Sequence, residues 1–265
     1  MNSSGLSISA LPSKDRAIVL SGLAMVAAIG WLYMFYMAWA MDNMHLVDMW
    51  MPPQGGTRAW TSWDLFMLFI MWFTMMLAMM TPTVVPMVLM FTTVNRQKKL
   101  KGQPYAPTFA FLSGYLVAWG MFSLLASAAQ WLLHEYGLLN PMMNSTSYLL
   151  SGAVLILAGV YQWTPMKDAC LHQCRTPLGF LMAAWKDGRF GAFQMGMHHG
   201  LFCVGCCWAL MAVLFSVGVM NILWVVLITI FVLLEKALPY SATITRTITG
   251  TGLIVWGVCW LMLYP

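Results

Sequence analysis

Five of the six cysteines and three of the five histidines of this chain fall between residues 161 and 239. Thiolate and imidazole groups are the usual protein ligands of Zn(II) and Cu(I), so the window reads first as a metal site. Cys170, His172 and Cys174 form a C-x-H-x-C run. On an extended chain alternate residues face the same way, and all three then reach one ion. His198 and His199 lead into Cys203, Cys206 and Cys207. At helical spacing His199, Cys203 and either Cys206 or Cys207 share a face, with Met195 one turn earlier. Glu235 follows at the end of a later apolar run and reads as a ligand, or as the acceptor that orients a ligand histidine. Its neighbour Lys236 reads as a snorkelling side chain with no special role. A closed thiolate–imidazole set suits structural zinc, whereas a lower-coordinate set with methionine nearby suits Cu(I). The competing reading is that small thiols merely pack apolar helices closely.

A second soft-donor cluster lies at 41–51, where Met41, His45 and Asp48 fall on one helical face with Met44 and Met49 close by. Thioether with imidazole is a Cu(I) pattern. The alternative is a helix end at the lipid headgroups, with Trp50 as its anchor. Methionine is abundant, 26 residues in all, and Met71, Met75 and Met79 recur at intervals of four with Met76 and Met80 beside them. That stripe reads as adaptable packing in preference to a thioether ladder.

The elements that must position these groups are membrane helices. Of 265 residues, 61% are hydrophobic and only 8% charged, where a soluble domain carries roughly a quarter charged. Lipid is therefore the expected solvent, and one all-α polytopic bundle the expected fold. Apolar runs of spanning length predict seven helices, near 17–41, 65–94, 108–134, 147–163, 199–220, 222–238 and 247–264. Pro82 and Pro86 should kink or break the second. Residues 166–198 read as a cytoplasmic interfacial segment containing an amphipathic helix around Phe180, Leu181, Ala184 and Trp185. Residues 1–7 read as a short disordered start. Lys14 and Arg16, the basic run Arg96 to Lys101, Lys167 to Arg189, and Lys236 with Arg246 alternate with acidic loops. The positive-inside rule then places the amino terminus in the cytoplasm and the carboxyl terminus outside. Asp64 and Arg58 read as outer interface anchors, and His134 as solvated.

The net charge of +5 is spent on loop topology and does not point to nucleic acid. Adjacent Cys206 and Cys207, with Cys203 on the same helix, make poor disulfide geometry. Phosphate-binding glycine loops, H-E-x-x-H and G-x-S-x-G motifs are absent, so no enzyme class is indicated.

The runs at 164–180, 195–211, 218–221 and 233–239, with Asp187–Gly188 and the AMMTPTVVPM run at 78–87, together resemble a bacterial family of predicted metal-binding integral membrane proteins. Cys170, Cys174, His199, Cys203, Cys206 and Cys207 match its pattern, and the 41–51 cluster does not map onto it. The residues and the resemblance together predict an inner-membrane, multi-pass protein that binds copper, or less readily zinc, in metal handling or as an accessory protein. Its expected partners are the lipid bilayer, a metal donor protein or other membrane-complex subunits. Two other readings are a structural subunit of a larger membrane enzyme complex and a thiol-based redox enzyme.

Overall fold

A computed structural model of the chain describes residues 11–53, 58–140, 143–238 and 242–263. The short start at 1–7 and the end of the last expected span, Tyr264, lie outside the described residues. Those described form an all-α bundle: α1 (Ser13–Asp42), α2 (Ser62–Leu100), α3 (Thr108–Glu135), α4 (Tyr148–Gln162), α5 (Pro165–Arg175), α6 (Pro177–Ala184), α7 (Gly188–Val217), α8 (Ile222–Ala237) and α9 (Ala242–Leu263). Large apolar side chains such as Ile18, Leu32, Leu125 and Leu157 lie exposed on the outer faces, as lipid-facing surfaces require.

Five helices are long and apolar enough to cross a membrane: α1, α2, α3, α7 and most of α9. The seven expected crossings are thus not all independent spans of full length. α4 and α5 make one bent pair, turned by 64° at a short break. α8 has 16 residues, about 24 Å of rise, short of a hydrocarbon core of about 30 Å.

α2 runs through Pro82 and Pro86 without ending, so of the expected kink or break the break does not occur. Threonine hydroxyls bracket Pro82, Thr81 donating to the Leu77 carbonyl and Thr83 to that of Met80. These lie on either side of the Ala78 carbonyl that Pro82 leaves without its helical N–H, and packing on neighbouring helices lets a helix in a bundle tolerate proline. α2 is also well started. Thr61 and Asp64 form a capping box, and buried Asp64 accepts from Arg58 and from Trp50 at 2.7 Å, which pins the preceding loop to the helix. His134 is buried, its Nδ1 2.9 Å from the Gln130 carbonyl, and is not solvated.

α7 is the central element, packed on α3, α4, α5 and α8. Its approach to α3 is set by glycine. A Cβ at Gly196 would strike the Phe111 carbonyl, one at Gly114 the Phe193 carbonyl, and one at Gly200 the Ala118 side chain. Gly196 and Gly200 form a G-x-x-x-G spacing, the small-residue seam by which helices approach closely in lipid. This contact extends α7 back to Gly188, eleven residues before the expected start. Residues 188–198 are therefore the start of a long helix.

Ion pairs gather helix ends. Arg96 meets Asp15, joining the end of α2 to the start of α1. Lys98 meets Asp187 at 2.7 Å, joining it to the start of α7. Arg246 of α9 meets Asp168 of α5.

Candidate metal centre

The C-x-H-x-C run is helical, not extended. Thr164 caps α5 by accepting from the Lys167 amide, and Pro165 occupies the first turn, where its missing N–H costs nothing. On a helix Cys170 and Cys174 share a face, while His172 points elsewhere. The pair turns to α7, where a Cβ on Gly205 would lie 2.8 Å from the Cys170 sulfur. His172 is exposed and drops out of the set.

α5 is clamped across the end of α8. Lys167, fully buried, forms an ion pair with Glu235 at 2.7 Å and donates to Gln162. At the other end of α5, Arg175 donates to the main-chain carbonyl of Glu235. Glu235, expected as a ligand or as an acceptor for a ligand histidine, has its carboxylate engaged by Lys167 and is a positioning residue for α5. Burying this pair is tolerable because each charge has its counter-charge and added hydrogen bonds.

Cys203, Cys206 and Cys207 are all buried near the middle of α7. Cys174 on α5 lies near Cys203 and Cys206 of α7. Cys203 is the hub. Tyr115 of α3 places its hydroxyl 3.3 Å from the Cys203 sulfur, and Lys236 of α8 donates to that sulfur at 3.0 Å and to Thr83 of α2 at 3.2 Å. Cys207 lies 4.0 Å from the Met80 thioether of α2. Four helices besides α7 thus contribute to one buried pocket of sulfur, with an ammonium and a phenol against it.

His199, one turn before Cys203, is buried among Phe111, Tyr115 and Phe180, and its Nδ1 has no hydrogen-bond partner. His198 is exposed and packs its ring, tilted, against Phe202, so the histidine pair is split. Lys236 is the residue that sequence reasoning misplaced: it points inward to the thiols. An ionisable side chain inside a bundle was the available signal. Tyr115, one tyrosine in an apolar helix, carried none.

The donors are those of a soft cation, and their arrangement is not yet a coordination sphere. Among the described residues no three His, Cys, Asp or Glu side chains are disposed to hold an ion. Cys206 and Cys207 turn their thiols to the Cys203 carbonyl at 3.1 and 2.9 Å, and the Lys236 ammonium stands at Cys203. Rotation about single Cα–Cβ bonds, between ordinary staggered rotamers, is what would redirect those sulfurs.

The 41–51 cluster fares differently. α1 ends at Asp42, so Met41, His45 and Asp48 do not share a helical face. Met44 and His45 are exposed, and Met41 packs on the core. Asp48 and Met49 line a cavity of about 190 Å³ with Met37, Met67 and Met71.

A family model described as PpoB2, copper chaperone, matches residues 69–260. No curated protein matches the chain, and no solved structure does. The matched stretch runs from α2 into α9 and contains every thiol and the histidine of the buried pocket, while 41–51 lies outside it.

Proposed function

The chain belongs to the PpoB2 copper chaperone family, and from that premise we propose that it is an integral membrane protein which takes Cu(I) as cargo in the pocket around Cys203 and releases it to a partner protein. The observation that carries the reading is that half-buried Cys174 of α5 neighbours the buried Cys203, Cys206 and Cys207 of α7, with Met80 beside Cys207. Thiolate with thioether suits Cu(I), whereas Zn(II) is held by thiolate, imidazole and carboxylate. The unpartnered Nδ1 of His199 is a further donor within one turn of Cys203. Cys170 stands behind the pocket against Gly205.

The proposed topology has seven crossings, with α4 and α5 as one broken passage and α8 as a short one. The amino terminus lies in the cytoplasm and the carboxyl terminus outside, in a bacterial inner membrane. The three ion pairs that tie the starts of α1 and α7 to the end of α2, and α9 to α5, support a common side for the basic loops, as the positive-inside rule requires.

The test is Cu(I) titration of the purified full chain under reducing conditions. Wild type should bind copper and lose at least tenfold in affinity on Cys203→Ser/Cys207→Ser. Unchanged copper content in that variant would remove the reading. The thiol-to-carbonyl hydrogen bonds favour one competitor, a structural subunit whose cysteines only pack. It predicts no bound copper in wild type and a stoichiometric membrane partner on purification.

A further inference from the structure

α2 buries a dense series of methionines. Met71, Met75, Met76, Met79 and Met80 are each at most 1% exposed. Burying methionine freezes more rotamer freedom than burying leucine, and leucine specifies a core better. Their spacing does something leucine would not. Met71, Met75 and Met79 are successive i,i+4 neighbours, as are Met76 and Met80, and Met76 with Met79 is an i,i+3 pair. Neighbouring Cβ atoms at these spacings lie about 5–6 Å apart, a gap that thioethers on flexible side chains can bridge.

Both ends of this series are specialised. At one end Met71 lines the cavity of about 190 Å³ that also presents Asp48, Met37, Met49 and Met67. Trp50, beside that cavity, is tied by its indole N–H to Asp64, so the mouth is anchored to α2. At the other end Met80 lies 4.0 Å from Cys207. The rise from Met71 to Met80 is about 14 Å along the helix, and i,i+3 or i,i+4 neighbours link the buried thioethers in the order Met71, Met75, Met79, Met76 and Met80, with one step running back along the helix.

We propose that α2 carries a thioether relay that conducts Cu(I) from the Asp48 cavity to the Cys203 pocket. The inference rests on the copper reading above and adds a direction: copper enters from the 41–51 side, not past α5. The carboxylate of Asp48 supplies the attraction for a cation at the mouth. Thioethers hold Cu(I) without a charge of their own, so the ion can leave each for the next, and the thiol pocket is the tighter terminus. At each step a copper–sulfur bond to the next methionine forms as the previous one breaks. The ion remains Cu(I), and no electron or proton changes hands.

The experiment is stopped-flow loading of the full chain in detergent with Cu(I) and ascorbate, followed by the ultraviolet absorption of copper–thiolate bonds, beside an equilibrium titration of the same samples. Met75→Leu/Met79→Leu nearly conserves volume and should keep the wild-type endpoint while loading at least tenfold more slowly. Asp48→Asn/Met49→Leu, in the loop outside the helices, should slow loading severalfold with the same endpoint. Wild-type loading rates in either variant would overturn the relay. Absence of the thiolate signal in wild type would instead overturn the copper reading, so the two failures are distinct.

Discussion

The two soft-donor clusters use the same chemistry and meet opposite fates. At 41–51, methionine, histidine and aspartate follow the end of α1, and Met44 and His45 are exposed. Around Cys203, groups from α2, α3, α5 and α8 are pressed against α7. Donor type alone does not make a site. A buried set forms where rigid elements on several sides hold the donors, and here those elements are the glycine seam of α3 with α7 and the Glu235 clamp on α5. From the 41–51 cluster Asp48 and Met49 line a small cavity, on a loop fastened to Asp64 through Trp50.

The sharpest way to break the contrast is to release the clamp. Lys167→Met leaves Glu235 charged and buried without its partner, and should cost about 3–5 kcal/mol, read as a lowered denaturation midpoint in detergent. Lys167→Met/Glu235→Leu should recover most of that loss, because an apolar pair of similar volume is tolerated where a lone charge is not. A double variant no better than the single one would show that the clamp acts through more than charge.

The seam comes next. Gly196→Ala drives a methyl group into the Phe111 carbonyl and should destabilise by about 1–3 kcal/mol through overpacking. It should also weaken copper binding, since Tyr115 and His199 lie on the two helices it separates. Gly22→Ala, with open space around it, is the matched control and should not destabilise.

In the 41–51 loop Met44→Leu/His45→Ala should change stability by no more than about 0.5 kcal/mol and leave copper stoichiometry intact. A loss of one bound copper would turn the loop into a second site and undo the comparison.

The smallest effect concerns pH. Asp187 has its carboxyl held below the ordinary value by hydrogen bonds from Lys98 and then Trp185. A depressed carboxylate contributes stability that is present above its unfolded pKa and is lost as pH falls through the folded one. The melting midpoint should therefore drop slightly on acidification below about pH 4, and Asp187→Asn should flatten that limb.

Much of this was readable along the chain. Cysteines at 203, 206 and 207 with His199 have helical spacing, and they do lie on one buried side of α7. The cap at Thr164 followed by Pro165 was a legible helix start, and it cancels the extended geometry that would have joined His172 to Cys170 and Cys174. Other features carried no local signal. Tyr115 is one aromatic residue among many. The inward turn of Lys236 and the outward turn of His198 depend on how α8 and α6 pack, which spacing does not encode. The early start of α7 reflects backbone contact with α3, which outweighs the polar character of residues 188–198.

Sequence by itself determined the solvent and the periodicity. So few charges cannot clothe a soluble surface, and backbone polar groups in lipid must be satisfied within helices. Which sulfur meets which was decided only by tertiary structure. A helix rotates freely in register until its small residues lock against a neighbour, and here glycine at 114, 196 and 200 fixes that rotation. Thiols distant along the chain become neighbours only after the seam and the clamp have closed.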